Sequence, residues 1–231
     1  MKQPLAVIGA LIAIVVLYLL AWPVPVDPVA WDAPVNRGLV DPFGPDDRLE
    51  RARAIDLGEY SGPEDVTRGR DGLFYATSKE GAILRMDGRG NVEPFADPGG
   101  RPLGIEAAAD GSLLVANAYF GLQRVAVDGS VTTLLDAVNG QSLVYADDLA
   151  IATDGTIYLS EASSKFGARQ FSGTYEGSLL DILEHGGHGL IVEFQPDTGA
   201  ARVILDGLNF ANGVAISADQ QYLLIAETGA Y

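Results

Sequence analysis

A pattern that occurs four times limits the fold of this chain more than any other feature of its sequence. The copies cover residues 63–77, 102–118, 145–162 and 211–228. Each copy contains two short runs rich in aliphatic and aromatic residues, separated by a turn. In the clearest copy, YADDLAIATDGTIYLSEA, the turn is Asp154-Gly155, which favours a tight hairpin because both residues tolerate positive φ. Each copy therefore predicts two antiparallel β-strands.

The spacing of the copies predicts how these strands assemble. The first three turns lie about 40 residues apart, as in the blades of a β-propeller, and a longer gap follows. A solenoid is the alternative, but its repeats are usually shorter or contain helices. The predicted blades cover residues 62–97, 101–137 and 145–206, with half of a fourth at 210–231. We also predict a strand at 53–57 that would complete a last blade, so we expect an all-β fragment of about three and a half blades.

Composition excludes several classes of function. Fifteen basic and 31 acidic residues give the chain a net charge of −16, which would repel phosphate backbones, so nucleic acid is not an expected partner. The sequence contains no cysteine, which excludes disulfides and thiolate metal sites. It also lacks a Gly-x-Ser-x-Gly elbow, a phosphate loop and a dinucleotide fingerprint.

The N-terminus predicts a membrane anchor. Residues 5–22 form an uninterrupted apolar run that, as a helix, would be close to the thickness of a bilayer core. Lys2 precedes the run and no basic residue follows until Arg37, so residues 1–4 are expected in the cytoplasm and the body outside it. A cleaved signal peptide is the alternative. Residues 23–52 contain six prolines and predict a stiff spacer.

An insertion at 163–187 interrupts the third blade and contains the helical signal of the body. Its apolar residues Leu179, Leu180, Ile182 and Leu183 predict the buried face, and Gly186 predicts the C-terminal cap. The insertion is expected to cover the end of the propeller where the innermost strands begin. The two histidines of the chain, at positions 185 and 188, follow this helix and are interpreted as part of a flexible, solvated hinge; the alternative is a base at the channel mouth.

Acidic and amide residues recur where the innermost strand of a blade begins. Glu64 and Asp65 open the first copy, Asp147 and Asp148 the third, and Asn212 the fourth. Blade symmetry would bring them together at one end of the central channel. Oxygen donors without cysteine or a well-placed histidine suit Ca²⁺ better than Zn²⁺. The alternative is that these residues only satisfy backbone groups in turns.

Several longer runs resemble a known family. The runs YADDLAIATDGTIYLSEASSKF, GLIVEFQPDTGAARVILDGLNFANGVAIS and YLLIAET, with GPEDV near the start of the first blade, are similar to the strictosidine synthase-like family. The resemblance covers about residues 61–231. It implies a six-bladed β-propeller related in fold to gluconolactonases and paraoxonases, often with an N-terminal membrane anchor.

The resemblance also implies ligands for a metal. In calcium-dependent relatives the matching positions are Glu64, Asp147 and Asn212, with a further Asp in a fifth blade beyond this sequence. Asp147 stands where an Asn is usual, which keeps an oxygen ligand and adds a charge. The histidine dyad of paraoxonases corresponds to Leu103 and Ala118, so that mechanism does not carry over.

These observations together predict a membrane-anchored, Ca²⁺-dependent hydrolase of lactones or related esters. The metal would polarise the carbonyl of a small-molecule substrate, while Asp148 or Glu64 would orient or deprotonate a water molecule. An amine–aldehyde condensing enzyme is the second interpretation, and a non-catalytic binding propeller is the third.

Overall fold

The body of the chain consists of short antiparallel strands. The computed structural model describes residues 2–40 and 44–230. Blade 1 contains β1 (Val66–Arg68), β2 (Phe74–Thr77), β3 (Ile83–Met86) and β4 (Val92–Ala96). Blade 2 contains β5 (Pro102–Ala107), β6 (Leu113–Asn117), β7 (Gly121–Val125) and β8 (Val131–Leu135). A small hairpin follows, formed by β9 (Ala137–Val138) and β10 (Gln141–Ser142).

The C-terminal half continues the same arrangement. Blade 3 contains β11 (Ala146–Ile151), β12 (Ile157–Glu161), β13 (Gly189–Gln195) and β14 (Ala200–Leu208), and a fourth sheet pairs β15 (Ala211–Ile216) with β16 (Leu223–Glu227). Within each sheet, consecutive strands pair in chain order. The prediction of an all-β, propeller-like body is therefore confirmed.

The hairpin turns form as their sequences require. The Asp154 carboxylate accepts a hydrogen bond from the Thr156 N–H at 3.0 Å, and Gly155 adopts a φ of 90°. In the fourth copy, where the sequence reads Asp219-Gln220, Gln220 adopts the left-handed conformation instead, with a φ of 60°. The turn therefore forms in the absence of the glycine, at some conformational cost.

The four innermost strands, β1, β5, β11 and β15, lie side by side in that order. The hydrophobic core fills the spaces between successive sheets: Ile83 and Val115 pack between blades 1 and 2, and Leu149 and Val192 contribute to the cluster between blades 2 and 3. Because the blades pack face to face, the starts of the innermost strands meet at one end of the assembly, which we call the channel mouth.

Hydrogen bonds join blade 1 to blade 2 at two points. The Asp65 carboxylate accepts a hydrogen bond from the Ile105 N–H at 2.9 Å. The Thr77 hydroxyl donates to the Leu103 carbonyl at 2.8 Å. In this arrangement an acid and a hydroxyl on one blade both bind the innermost strand of the next blade. We call it the two-point clamp.

The same clamp joins blade 3 to the fourth sheet. The Asp148 carboxylate accepts a hydrogen bond from the Val214 N–H at 2.7 Å, and the Ser160 hydroxyl donates to the Asn212 carbonyl at 2.7 Å. Strand pairing shows that these four residues occupy positions equivalent to those of the first clamp. The joint between blades 2 and 3 differs, since the Glu106 carboxylate accepts a hydrogen bond from the Ile151 N–H there.

The insertion in blade 3 forms the helix α2 (Thr174–Glu184), but two details of its prediction are wrong. The residues that α2 buries are Gly177, Asp181 and Glu184. Of the predicted apolar face, Leu180 and Ile182 are half-buried, whereas Leu179 and Leu183 are 41% and 67% exposed. Glu184 faces inward where Lys165 and His188 supply partners for its carboxylate, whereas both carboxylate oxygens of Asp181 are buried without a hydrogen-bond partner among the described residues. The C-terminal cap is His185, not Gly186: His185 adopts the left-handed conformation and its N–H donates to the Asp181 carbonyl.

The N-terminal region also differs from its prediction. Residues 53–57 form no strand, since the described chain places no neighbouring strand beside them. Lys2–Ala21 forms the helix α1, and its side chains from residue 6 onward are exposed. The predicted span at 5–22 is not supported: within residues 2–40 and 44–230, the structure contains no helix with the length and apolar character needed to cross a membrane. Met1, residues 41–43 and Tyr231, which fall within the predicted cytoplasmic end, spacer and fourth blade, lie outside the described residues.

Candidate functional site at the channel mouth

Asp147 is a buried carboxylate at the channel mouth. It lies in an irregularity of β11, where the register with β12 shifts between Ala146 and Leu149. Its exposure is 4%, and its carboxylate makes no hydrogen bond to any described residue. Burial raises the pKa of Asp147 well above its usual value, and the negative charge of Glu64 raises it further. Asp147 is thus a buried acid whose charge lacks a direct partner.

Glu64 lies just before β1 and faces the same space. Its side chain is 46% exposed and its Oε2 lies 3.7 Å from the Arg101 Nη2. The Arg101 side chain is only 12% exposed and donates hydrogen bonds to the Gly62 and Pro102 carbonyls, each at 3.2 Å. The positive charge of Arg101 also lowers the pKa of Asp147, opposing the effect of burial. Glu64, Asp147 and Arg101 therefore form one electrostatic group.

Asn212 enters the channel mouth from the fourth sheet. It lies in the irregularity of β15, between Ala211 and Val214. Its side-chain Nδ2 donates to the Thr228 hydroxyl at 3.1 Å, and among the described residues its Oδ1 has no hydrogen-bond partner. The amide oxygen is therefore available to a ligand.

Asp148 has different surroundings from its neighbour in sequence. Its carboxylate is committed to the Val214 N–H, and burial raises its pKa. A Cβ atom at Gly104 would lie 2.5 Å from the Asp148 Oδ1, so blade 2 approaches closely from the other side. The structure thus places Asp148 in the joint between blades rather than beside an open space.

The predicted metal ligands supply the right atoms for a hard cation. Two carboxylates and an amide oxygen are the donors that Ca²⁺ prefers, and Asp147 and the Asn212 Oδ1 have no hydrogen-bond partner in the described chain. Those two unpartnered donors fit a cation. The described residues contain no group of three or more His, Cys, Asp or Glu side chains placed to hold a metal ion, so the site has at most two carboxylate ligands from this part of the chain.

Sequence reasoning missed Glu161. This buried carboxylate accepts hydrogen bonds from the Val144 and Tyr145 N–H groups at 2.6 and 2.8 Å, while its Oε2 is buried without a partner among the described residues. Burial raises its pKa to about 8, since the two hydrogen bonds only partly offset the lost hydration. The repeat could have indicated this role. Asn117 and Glu227 occupy the equivalent positions, and their side chains also accept hydrogen bonds from N–H groups of the preceding loop.

The insertion lies on the channel mouth. Tyr145, which immediately precedes β11, donates its hydroxyl hydrogen bond to the Thr174 carbonyl at 2.7 Å. Gly177 lies against the Tyr145 ring, and Ile182 packs on the cluster that includes Leu103 and Phe210. α2 therefore rests on residues contributed by blades 2 and 3 and the fourth sheet.

Glu184 fixes the C-terminal end of α2. It is 3% exposed and accepts hydrogen bonds from the Lys165 ammonium at 2.7 Å and from the Asp27 N–H at 2.8 Å; its Oε1 lies 2.6 Å from the His188 Nε2. Burial alone would raise the pKa of Glu184, but these partners outweigh it and lower the pKa to about 2. The histidines do not form a flexible, solvated hinge, because His188 is held by Glu184 and His185 stacks on Trp31 with ring centroids 4.2 Å apart.

Residues 27–31 cross the end of α2, and we call them the N-terminal strap. Besides the contacts of Asp27 and Trp31, the Val29 N–H donates to the Glu184 carbonyl at 2.7 Å. The Asp27 carboxylate lies 3.8 Å from the Lys165 ammonium. The strap connects the region after α1 to the helix that covers the channel mouth.

The architecture can be compared with solved structures. A gluconolactonase of Xanthomonas campestris superposes with a TM-score of 0.62 at 21% sequence identity, covering 75% of this chain and 56% of that one. This likeness shows the fold. The chain is thus a β-propeller protein with carboxylates gathered at the channel mouth.

Sequence comparison identifies the family. Residues 147–230 match the family model for strictosidine synthase, and residues 41–86 match the model for the strictosidine synthase-like N-terminal region. Protein strictosidine synthase-like 6 of Arabidopsis thaliana is 36% identical over 78% of this chain and 48% of its own length. The adipocyte plasma membrane-associated protein of Mus musculus is 31% identical over 88% of this chain and 51% of its own. The chain belongs to the strictosidine synthase-like family, and it spans about half the length of the curated relatives it matches.

Proposed function

We propose that the channel mouth binds Ca²⁺ and that the whole protein hydrolyses lactones or related esters. The observation that carries this proposal is Asp147, a carboxylate with 4% exposure and no hydrogen bond to the described chain. A bound cation would stabilise its charged form. The proposal is further supported by the available Asn212 oxygen, by the exposed Glu64 carboxylate and by the fold shared with a gluconolactonase.

The proposal gives each residue of the channel mouth a separate role. Glu64, Asp147 and Asn212 would hold the ion, which when bound would polarise a substrate carbonyl. Glu64 is the carboxylate that can also orient a water molecule, because its side chain is 46% exposed. Asp148 would act as a positioning residue, since its carboxylate is committed to the Val214 N–H. α2 would restrict the entry of water to the channel mouth.

Calorimetric titration of Ca²⁺ tests the metal site. The proteins are the full natural protein and its variants Asp147→Ala and Asn212→Ala, with Asp206→Ala, at an exposed acid on β14, as the control. We expect the first two variants to bind Ca²⁺ at least about tenfold more weakly, and the control to bind normally. Identical binding in all four proteins, or none in the wild type, would remove the site.

Activity is tested separately on simple lactones and aryl esters. We expect turnover that a chelator abolishes and that added Ca²⁺ restores. The alternative of a non-catalytic binding propeller is favoured by Asp148, because one of the two candidate catalytic carboxylates is already used to join blades. Ca²⁺ binding without turnover of any ester would support this alternative.

We also propose that the N-terminal region attaches the protein to a membrane. The described side chains of α1 are apolar and exposed, and relatives of the chain are named as plasma membrane-associated. Membranes from expressing cells are washed with alkaline carbonate, and the intact protein is compared with a variant lacking residues 1–22. Attachment predicts that only the intact protein stays with the membranes; release of both would contradict it.

A further inference from the structure

Arg101 is a fixed positive charge at the channel mouth. Its guanidinium donates to two carbonyls, those of Gly62 in blade 1 and Pro102 in blade 2. Its backbone is held as well, since the Arg101 N–H donates to the Asn117 Oδ1 at 3.2 Å and its carbonyl accepts from the Ala118 N–H at 3.0 Å. A side chain that is 12% exposed and held in this way has little freedom to move.

Glu64 is the partner of this charge. The Arg101 Nη2 lies 3.7 Å from the Glu64 Oε2, a distance of an ion pair but longer than a direct hydrogen bond. Glu64 is therefore attracted by Arg101 without being fully committed to it. The positive charge of Arg101 also acts on Asp147. The Arg101 charge therefore interacts with two of the three proposed metal ligands, Glu64 and Asp147.

We infer that Arg101 competes with a divalent cation for Glu64 and thereby lowers the cation affinity of the channel mouth. This inference rests on the proposed function, because it concerns the same ligands. A bound divalent ion would face a buried guanidinium close to its own ligand, and like charges repel strongly where the surroundings exclude water. The protein would bind Ca²⁺ only where the ion is abundant.

The substitution Arg101→Gln tests this competition. Glutamine removes the charge while its amide can still donate to a backbone carbonyl. Arg124→Gln is the matched control, because Arg124 pairs with Asp110 at the surface of blade 2 and has no contact with the candidate ligands. Calorimetric titration of Ca²⁺ should show binding roughly tenfold or more tighter for Arg101→Gln than for the wild type. The control should bind as the wild type does.

A second variant keeps the test decisive if Arg101→Gln does not fold. Arg101→Lys retains one charge but loses the forked donors, so the ammonium can move away from Glu64 and affinity should rise by a smaller factor. If the wild type binds Ca²⁺ and the Arg101 variants bind it equally or more weakly, this inference is wrong and the proposed metal site stands. Absence of Ca²⁺ binding by the wild type and every variant would overturn both.

Discussion

Asp147 and Asp148 are neighbours in the chain with different surroundings, because β11 is irregular where they lie. Asp147 has no hydrogen bond to the described chain and shares the channel mouth with Glu64 and Arg101. Asp148 accepts the Val214 N–H of the fourth sheet. Irregular strand positions commonly redirect side chains in this way. One position is therefore suited to a ligand and the other to joining blades.

Replacing Asp148 by alanine should destabilise the protein. The change would leave the Val214 N–H without its acceptor in a partly buried joint, which costs about 1–3 kcal/mol of unfolding free energy. Urea denaturation measures the loss, and Asp206→Ala, at an exposed position, should change stability by only about 0.5 kcal/mol or less. Equal stabilities of the two variants would show that the clamp contributes nothing.

Glu161 predicts a pH dependence of stability. Its pKa is raised to about 8 in the folded protein, so the folded state retains a proton that the unfolded state releases above its own pKa near 4.5. The contribution of this group to stability is fully present below pH 4.5 and is lost as the pH rises towards 8. Glu161→Gln should therefore flatten the decline in unfolding free energy between these values.

Denaturation at pH 5, 6, 7 and 8 checks this expectation. Glu50→Gln, at an exposed position, is the control for removing one negative charge. If the Glu161→Gln and wild-type curves run parallel over this range, burial of Glu161 does not govern the pH dependence.

For single residues of the candidate site, the sequence predicts a position only where that position follows from the repeat. Glu64, Asp147 and Asn212 occupy equivalent positions at the starts of the innermost strands, and the repeat alone places them there. The role of Arg101 could not be predicted, because it lies in a loop before β5 and its role depends on which carbonyls it meets. The hydrogen bond of Asp148 to the next sheet could not be predicted either, because an acidic residue at a strand start has the same pattern whether it binds a ligand or a neighbouring backbone.

At the scale of single elements, α2 shows the limit of reading amphipathicity from sequence. The four apolar residues of the helix predicted its buried face, yet Asp181 and Glu184 are buried. For Glu184 the reason is that Lys165, His188 and the strap supply partners, and a carboxylate with charged partners can be buried. The Asp181 carboxylate is buried without a hydrogen-bond partner among the described residues. Distant residues provide the partners of Glu184, so the helix sequence by itself does not reveal them.

The N-terminal strap should stabilise α2 against local opening. Glu184→Gln weakens the contacts of residue 184 with Lys165 and Asp27, and Trp31→Ala removes the stacking of Trp31 on His185. Hydrogen bonds to a charged group contribute about 1.5–3 kcal/mol, so amide exchange in α2 should become at least about tenfold faster. Hydrogen exchange followed by mass spectrometry measures this. Trp22→Ala, outside the strap, is the control, and unchanged exchange in both Glu184→Gln and Trp31→Ala would contradict the prediction.

At the scale of the whole molecule, the net charge of −16 acts on stability. Repulsion among like charges opposes a compact state, and salt screens it. Raising NaCl from about 10 to 150 mM shortens the Debye length from about 30 to 8 Å. We expect the Tm to rise by about 2–4 °C, equivalent to about 1 kcal/mol for a domain of this size. KCl should act equally; a Tm that stays constant or falls would show that self-repulsion is unimportant.

The two-point clamp restricts how many blades such a ring can have. Blades 1 and 3 carry an acid and a hydroxyl, while blade 2 and the fourth sheet carry glycine and alanine at the same positions: Asp65 and Thr77, Gly104 and Ala116, Asp148 and Ser160, Gly213 and Ala226. A Cβ atom at Gly104 would lie 2.5 Å from the Asp148 Oδ1 and 2.7 Å from the Asp148 Cα, so the joint between blades 2 and 3 requires a glycine on the blade that precedes Asp148. Gain or loss of a single blade would place two blades of the same kind side by side. A closed ring built with this alternation therefore has an even number of blades, and its length can change only by whole pairs.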